Sequence, residues 1–352
     1  RRYVRLVKYV PARNLESFDR VFQGVIYRPN GEAEVVLKGV LLEEAPIRSY
    51  PKGSLMAHVL GFSNREGVGS AGIELRYDAY LKGKEGHRSS KKDGRGREVY
   101  SARELDIPSE NGATVVLTLD QQIQYVTEKA IEKICFDYNA KGAWAIVQDV
   151  RSGEILSMAS FPKFDPNRYG RAPKEWLRNR SISVNFEPGS TMKAGVVSKA
   201  IDIDLITPKD RFDCENGSWA YAGKKLNDSH AEGVLSVEDI LKVSSNIGTA
   251  KIALMMGDQR LYDGLKAFQF GERLGVGLPG EEAGIFHSTN DWSKISATRI
   301  GMGQGISATS LQVLSMISTI ANDGFQMRPY LLKRVVSDQG DVLHESEPEL
   351  LG

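Results

Sequence analysis

The sequence predicts an α+β fold, in which an antiparallel sheet packs against helices and a small mixed α/β domain precedes this body. Two observations carry the prediction. Apolar runs at 143–150 and 154–159 are joined by Arg151-Ser152-Gly153, which is the pattern of a β-hairpin. Long segments with apolar residues at helical spacing accompany the hairpin, whereas a βαβ fold would alternate single strands with helices.

Composition and charge exclude several classes of function. The 352 residues suffice for two domains, and 41% apolar with 26% charged residues is ordinary for a globular protein. A net charge of +1 gives no field that would attract nucleic acid, so we predict no nucleic-acid partner. The two cysteines lack the spacing of metal ligands, and no apolar run reaches the roughly 18 residues of a membrane span. Because the chain starts at Arg1 without a methionine, this says little about an anchor.

Residues 1–110 form the predicted small domain. It contains a predicted helix at 11–21, a predicted strand at 34–42 and glycines that indicate turns between 67 and 86. The polar segment 107–112 contains proline and glycine, so we place the boundary there and assign 111–352 to the second domain. The histidines of the small domain have no partner motif and are predicted to be structural or on the surface: His58 and His87.

The second domain opens with a predicted strand at 114–119 and a helix that Asp120 caps. Apolar residues at helical spacing define the predicted inner face of this helix: Ile123, Val126, Ala130, Ile131 and Ile134. Cys135 follows on the apolar side, so we predict a buried free thiol there. A further hairpin is predicted at 333–343, with its turn at Asp338-Gln339-Gly340.

The segment from Phe186 to Lys193 (FEPGSTMK) carries the strongest chemical signal. Its proline and glycine precede apolar residues at helical spacing, so Ser190 falls in the first turn of a helix and Lys193 lies one turn later on the same side. A hydroxyl beside an amine, at the positive end of a helix, suits attack on a carbonyl. For the isolated pattern, a serine N-cap and a solvated lysine remain the alternative.

A second segment, 236–256, places a polar triplet inside a helical pattern. Ser236 and Asp239 form a capping-box-like start, and Ser244-Ser245-Asn246 interrupts the apolar spacing before it resumes. Interior hydroxyl and amide groups need partners. The alternative is a corner between two helices whose side chains bond only to the backbone.

A third segment, 301–309, has glycines at alternate positions. Its spacing is that of neither a dinucleotide loop nor a phosphate loop, so we predict close packing beside a groove. The helix that follows begins with a predicted capping box of Thr309 and Gln312 and ends at Asn322-Asp323-Gly324.

Together, FEPGSTMK, Ser244-Ser245-Asn246 and Gly303-Gln304-Gly305 resemble the class B penicillin-binding proteins, the D,D-transpeptidases that cross-link peptidoglycan. Further phrases agree, including 149–167 (DVRSGEILSMASFPKFDPN) and Asp228-Ser229-His230. The resemblance covers nearly the whole chain and is closest to the septal, division-associated type. It implies a penicillin-binding, serine-acyltransferase fold behind a pedestal domain.

The resemblance also implies roles for four side chains. Ser190 would be the nucleophile and Lys193 its proton acceptor, while Ser244 relays a proton to the leaving amine. Asn246 would donate to the substrate's amide carbonyl and accept from Lys193, and the Ser190 N–H would be one oxyanion donor. No metal or cofactor is implied.

The implied partners are peptidoglycan stem peptides that end in D-Ala-D-Ala, β-lactam antibiotics, and a polytopic membrane glycosyltransferase with other division proteins. The implied location is the inner membrane, with a single-pass anchor outside this chain and a catalytic body in the periplasm.

One departure from the family is plain: no Lys-Thr-Gly or Lys-Ser-Gly tripeptide follows Thr309. We expect the sequence to end before this third motif, so that three sheet strands and one oxyanion amide would be missing and the chain alone would be inactive or impaired. Two alternatives stay open. One is a β-lactamase or D,D-carboxypeptidase on the same fold, and the other is a non-catalytic scaffold for cell-wall synthesis.

Overall fold

The computed structural model describes residues 26–27, 33–35, 47–92, 94 and 98–352. The chain divides into two units, Arg1–Arg48 and Ser49–Gly352. In the first unit, β1 (Ile26–Tyr27) pairs with β2 (Ala33–Val35) in antiparallel fashion. The predicted strand at 34–42 therefore overlaps β2, and its remainder lies outside the described residues, as does the whole predicted helix at 11–21.

The larger unit begins with short elements and tight turns, as the glycine-rich sequence predicts. In chain order they are α1 (Ala57–Leu60), β3 (Phe62–Ser63), β4 (Gly69–Ala71), α2 (Gly72–Arg76), α3 (Asp78–Leu81), β5 (His87–Lys92) and β6 (Glu98–Ile107). β3 pairs with β4 and β5 with β6, both antiparallel. His58 is buried on α1 while His87 is exposed, in agreement with structural and surface roles.

β7 (Thr114–Leu117) and α4 (Gln121–Asp137) follow, and the Asp120 carboxylate accepts hydrogen bonds from the Gln122 and Ile123 amides, as predicted. The predicted inner face of α4 is wrong in part. Ile131 is buried, but Val126 is 65% exposed and Ile134 is 50% exposed.

The buried face of α4 instead consists of Gln124, Glu128, Ile131 and Cys135. The reason is hydrogen bonding: the Gln124 side chain accepts from the Met158 N–H at 2.8 Å and donates to the Met158 carbonyl at 3.1 Å. A buried amide with its partners satisfied is stable, and apolar periodicity alone does not reveal it. Cys135 is buried with a free thiol, as predicted.

The central hairpin consists of β8 (Ala143–Gln148) and β9 (Ile155–Phe161), which pair antiparallel and pack against α4. This confirms the hairpin predicted around Arg151-Ser152-Gly153. Ile155 and Met158 of β9 are buried in a core cluster that also includes Val59 of α1, so the opening elements of this unit share a core with the hairpin.

Helices make up most of the remaining body, with two short antiparallel strand pairs between them. In chain order these elements are α5 (Arg180–Ser183), α6 (Met192–Asp202), β10 (Arg211–Asp213), β11 (Ser218–Tyr221), β12 (Lys224–Asn227), β13 (Val234–Ser236), α7 (Val237–Lys242), α8 (Asn246–Met256), α9 (Asp258–Ala267), α10 (Ser296–Gly301) and α11 (Ser310–Ala321). β10 pairs with β13, and β11 with β12. The largest core cluster lies around α6 and α8, with Met192, Val196 and Ile247 fully buried.

The chain closes with β14 (Leu332–Val336) and β15 (Val342–Glu345), the predicted second hairpin. β14 also pairs antiparallel with β7, which makes a three-stranded sheet of β15, β14 and β7. Antiparallel hairpins and packed helices together confirm the predicted α+β class. The capping box of Thr309 and Gln312 at the start of α11 is also confirmed.

Candidate active site

Ser190 lies in a short 3₁₀ turn, Gly189–Thr191, that leads directly into α6. The segment before it is held against the glycine-rich segment. Phe186 and Ala308 exchange two backbone hydrogen bonds at 3.0 and 2.9 Å, and the Gly189 N–H donates to the Gly303 carbonyl at 3.0 Å. These contacts fix where the chain turns into the helix and therefore where the Ser190 hydroxyl stands.

Gly303 cannot be replaced without moving this turn. Its φ is +73°, and a Cβ built on it would lie 2.1 Å from the Gly189 carbonyl oxygen. A left-handed backbone combined with such close approach is the situation that requires glycine. The prediction that these glycines mark close packing is confirmed at this position.

Lys193 is buried, with 2% of its surface exposed. Its Nζ donates to the Ser244 carbonyl at 2.6 Å, to Ser244 Oγ at 3.0 Å and to Asn246 Oδ1 at 2.8 Å. An ammonium has three hydrogens, so each has an acceptor. The amine is buried and held in one place, which excludes the alternative of a solvated lysine.

The surroundings of Lys193 change the pKa of its amine. Burial lowers the pKa of the Lys193 amine below its usual value, because desolvation disfavours the charged form. The negative charge of Asp228 opposes this shift and raises the pKa. A lysine with a lowered pKa provides more of the neutral amine that a general base requires.

Ser244 sits at the corner between α7 and α8 with φ +57°, a left-handed conformation that non-glycine residues seldom adopt. Such a conformation costs about 1–3 kcal/mol and persists only where its surroundings enforce it. Here it turns both the carbonyl and the hydroxyl of Ser244 toward Lys193. The predicted polar interruption between two helices is confirmed, and its side chains bind more than the backbone.

Asn246 is the first residue of α8, and its side chain is fixed at both ends. Oδ1 accepts from Lys193, while Nδ2 donates to the Asn227 carbonyl at 2.9 Å. An amide nitrogen carries two hydrogens, so one remains for another acceptor. Nothing in the sequence predicts the contact with Asn227, which comes from the end of β12.

A cavity of about 420 Å³ opens beside this corner. Its lining residues come from the Ser190 turn, β12, α8, α10 and the glycine-rich segment: Gly189, Ser190, Lys225, Leu226, Asn227, Asn246, Arg299, Met302 and Gln304. Ser190 is exposed toward solvent, and no described residue forms a hydrogen bond with its hydroxyl. The structure thus brings Lys193, Ser244 and Asn246 into contact and places Ser190 with Asn246 on one cavity wall.

The wall also carries two cationic side chains that the sequence does not predict to be part of the site. Lys225 and Arg299 line the cavity, and neither forms an ion pair with another residue in the described part of the chain. Arg299 Nη1 donates to Gln304 Oε1 at 3.0 Å. Single basic residues on a short strand and a short helix carry no sequence signal, because only the fold brings them to the same wall.

Asp228 is a further residue of the site that the sequence does not predict. In the sequence it stands out only as part of Asp228-Ser229-His230, but its carboxylate contacts the Ser245 hydroxyl and the first amides of α8. His230 of the same phrase is exposed. Across the described ranges no three His, Cys, Asp or Glu side chains are grouped to hold a metal ion, and no helix is long and apolar enough to span a membrane.

Comparison with known families identifies the class. The transpeptidase domain of penicillin-binding proteins matches residues 143–350, and the penicillin-binding protein dimerisation domain matches residues 31–117. The chain therefore belongs to the penicillin-binding proteins that carry a transpeptidase domain. The resemblance to class B members that the motifs indicated is confirmed.

Individual relatives agree with the family match. The probable peptidoglycan D,D-transpeptidase PenA of Neisseria meningitidis is 33% identical over 308 residues, which cover 86% of this chain and 52% of that protein. The peptidoglycan D,D-transpeptidase FtsI of Escherichia coli is 31% identical over 299 residues, 85% of this chain and 50% of that protein. The chain spans about half the length of these curated relatives.

Among solved structures, penicillin-binding protein 3 of Mycobacterium tuberculosis, in complex with aztreonam, superposes with a TM-score of 0.77 at 34% identity. The match covers 87% of this chain and 65% of that chain. The same protein has also been solved with ampicillin. The fold of this chain is that of the penicillin-binding proteins.

Proposed function

We propose that this chain carries the acylating residues of a peptidoglycan D,D-transpeptidase, which cross-links stem peptides through an acyl-enzyme on Ser190 during cell division. One observation carries the proposal: the buried Lys193 amine, one helical turn after Ser190, is held by Ser244 and Asn246 at 2.6–3.0 Å. The family match supports the same reaction.

In the first step, Ser190 Oγ attacks the carbonyl between the two terminal D-alanines, and neutral Lys193 takes the hydroxyl proton. The carbonyl oxygen becomes an oxyanion. The Ser190 N–H, in the first turn of the helix and without an intrahelical partner, donates to it. Asn246 directs its second Nδ2 hydrogen to the carbonyl of the substrate peptide and so aligns the scissile bond.

Collapse of the oxyanion breaks the C–N bond and releases D-alanine. Ser244 Oγ, 3.0 Å from Lys193 Nζ, passes the proton from the lysine to the leaving amine. An amine from a neighbouring stem peptide then attacks the ester, and Ser190 leaves and regains its proton. No redox or metal step enters this sequence.

The charge of the cavity wall is consistent with a peptide substrate that carries carboxylates. Lys225 and Arg299 give the wall two positive charges, and no acidic side chain lines it within the described residues. Positive walls attract and orient anionic ligands. We therefore infer that stem peptides ending in D-Ala-D-Ala and β-lactams, which mimic that end, bind along this wall and acylate Ser190.

The same cavity argues against the hydrolase alternative. A β-lactamase or carboxypeptidase needs a base aimed at a deacylating water, and no carboxylate or imidazole lines the described cavity. The scaffold alternative is disfavoured by the intact Lys193 contacts, since a vestigial cleft has no need of a strained Ser244.

We also propose the division of the chain into a pedestal at 1–110 and a transpeptidase domain at 111–352. The partners we propose are a polytopic membrane glycosyltransferase and other division proteins, with the catalytic body in the periplasm and an anchor in the inner membrane. Similarity to FtsI and PenA supports this assignment. Cross-linking in cells, with an unnatural photoreactive amino acid in 49–110, tests the partners.

The central test is labelling of the full-length natural protein with a fluorescent penicillin. Ser190→Ala should abolish labelling, whereas Ser70→Ala, a change at an exposed serine, should leave it intact. Retained labelling in Ser190→Ala would show that another residue is the nucleophile. A long-lived adduct supports a transpeptidase, and rapid turnover of the penicillin supports the hydrolase.

A further inference from the structure

We propose that Asp228 is a positioning residue of this active site: its carboxylate fixes the Ser245-Asn246 corner and thereby holds the acceptors of the Lys193 amine. The inference rests on the proposed function, because it assigns to Asp228 a part in preparing Lys193 as a base. No sequence motif predicts this role, since Asp228 lies 18 positions before Asn246.

The contacts of Asp228 use both carboxylate oxygens. Oδ1 accepts from the Asn246 N–H in a short hydrogen bond and from the Ile247 N–H at 3.0 Å. Oδ2 accepts from the Ser245 hydroxyl at 2.6 Å. The first N–H groups of a helix lack intrahelical partners and carry partial positive charge, so a carboxylate in this place both satisfies and stabilises them.

Ser245 connects Asp228 to the interior of α8. Its hydroxyl donates to Asp228 and accepts from the Gly248 N–H at 2.9 Å, and the residue is 1% exposed. The buried Cys214 sulfur lies 3.4 Å from the same hydroxyl. Ser245 is therefore fully engaged away from Lys193, which explains why only its two neighbours contact the amine.

Asn227 and Asp228 act on Asn246 together. The Asn227 carbonyl holds the side-chain amide, while Asp228 holds the backbone amide of the same residue. Asn227 is the last residue of β12 and Asp228 follows it, so one short segment fixes the position and the rotation of Asn246. Moving this segment would release Oδ1 from its 2.8 Å contact with Lys193.

The charge of Asp228 adds a second effect. Besides Asp228, the charged side chains around the corner lie in two groups. Lys225 and Arg299 line the cavity wall, and Asp213 and Lys251, with its ion-pair partner Glu215, lie on the side of Cys214. Among the described residues, Asp228 is the one whose charge acts on the pKa of Lys193, and it raises that pKa against the effect of burial. The charge of Asp228 thus reduces the amount of neutral amine at a given pH, in opposition to the larger effect of burial.

Two variants separate geometry from charge. Asp228→Asn keeps an oxygen for the α8 amides but removes the negative charge, so the pKa of Lys193 should fall further and the acid limb of the acylation profile should move to lower pH. Asp228→Ala removes both the acceptor oxygen and the negative charge. The acylation rate should then fall about tenfold, which is less than the full rate contribution of a general base.

Asp120 provides the matched control, because its carboxylate also accepts two helix N-terminal amides, at 2.8 and 2.9 Å, but on α4. Asp120→Asn and Asp120→Ala should lower the melting temperature without moving the acid limb. The experiment measures acylation by a fluorescent penicillin between pH 5 and 10 in the full-length natural protein, with the Lys193 titration followed by NMR of its ε-carbon.

The proposal fails if folded Asp228→Ala acylates Ser190 at the rate of the unmodified protein, or if Asp120→Ala slows acylation equally. The effect of the charge is absent if folded Asp228→Asn leaves both the acid limb and the Lys193 titration unchanged. The NMR titration tests the role of Asp228 independently of the proposed transpeptidase function. If penicillin does not label Ser190 in the unmodified protein while Asp228→Asn still shifts the Lys193 titration, the transpeptidase assignment is overturned and the role of Asp228 stands.

Discussion

Lys193 and Asn246 are 53 positions apart in the sequence, and their side chains meet at 2.8 Å between Nζ and Oδ1. The contact joins α6, which follows the Ser190 turn, to the first residue of α8, a helix that shares its core. Because the amine is buried and its acceptors are held by the backbone of other elements, the site is organised before any substrate binds. Such preorganisation is what reduces the barrier for proton transfer.

Replacing Lys193 by alanine should reduce acylation of Ser190 by about 10²–10⁴-fold, the usual contribution of a general base. Arginine at this position should be as poor, because a guanidinium stays protonated and cannot accept the proton. Stopped-flow measurement of penicillin acylation gives the rate. Lys199→Ala, on the same helix but paired with Asp202, is the control and should react at the normal rate.

The pH dependence of acylation should follow the titration of Lys193. Only the neutral amine accepts a proton, so the rate rises with pH and levels off above the pKa of Lys193 in the folded protein. Burial lowers that pKa, and the plateau should therefore be reached below the ordinary lysine value of 10.5. A rate that keeps rising through pH 10.5 would contradict a desolvated base.

Much of the site is predictable from local sequence, because its parts are helix starts and interruptions. The turn at Ser190, the polar corner at 244–246 and the capping box of Thr309 and Gln312 each follow from nearby residues. Helical spacing alone also places Lys193 one turn after Ser190. These predictions are correct because the residues that determine each helix start or interruption lie only a few positions apart in the sequence.

The features of the site and the fold that local sequence does not predict depend on contacts between segments far apart in the chain. Asp228 and Asn227 act on α8 from another strand, and β14 pairs with β7 across more than two hundred positions of sequence. On α4, Gln124 is buried because β9 offers it backbone partners, so hydrophobic periodicity selects the wrong face. Whether a polar side chain is buried depends on its tertiary hydrogen bonds, and a single sequence does not reveal these.

Gly303→Ala should displace the Ser190 turn. The added Cβ would lie 2.1 Å from the Gly189 carbonyl oxygen, and φ at this position is +73°. We expect a loss of about 1–3 kcal/mol in the free energy of unfolding, typical of overpacking, together with slower acylation. Chemical denaturation and penicillin labelling measure the two effects.

Gly305→Ala is the control for Gly303→Ala. It has nearly the same φ, +72°, but an added Cβ there meets nothing within 4 Å. Only the cost of the left-handed conformation, about 1 kcal/mol, should appear, and labelling should remain near normal. Equal losses of acylation in the two variants would show that close packing against Gly189 is unimportant.

Reversing the charge of Lys225 should weaken capture of penicillins, which are anions. Lys225→Glu changes the potential of the cavity wall, so the second-order acylation rate should fall several-fold at low salt and recover partly at high salt. Lys224→Glu makes the same change one position earlier on β12, outside the cavity lining, and should have a smaller effect. If both variants behave alike, the wall does not bind the carboxylate.

His58 should make the protein sensitive to acid. Burial lowers its pKa from 6.5 to about 4, because desolvation disfavours the charged imidazole. The Trp176 carbonyl oxygen, 2.8 Å from Nε2, raises the pKa but does not offset the effect of burial. The folded state therefore disfavours the charged form. The stability that depends on the neutral imidazole is complete above pH 6.5 and is lost as pH falls toward 4. The loss is about 3 kcal/mol for a shift of this size.

His58→Gln removes this titration, so the free energy of unfolding should depend less on pH between 6.5 and 4.5 than in the unmodified protein. Urea denaturation at a series of pH values measures it. His230→Gln, a change at an exposed histidine, should leave the pH dependence as it was. An unchanged pH dependence in His58→Gln would mean that His58 does not become charged on unfolding in this range, and the acid sensitivity would then have to come from carboxylates.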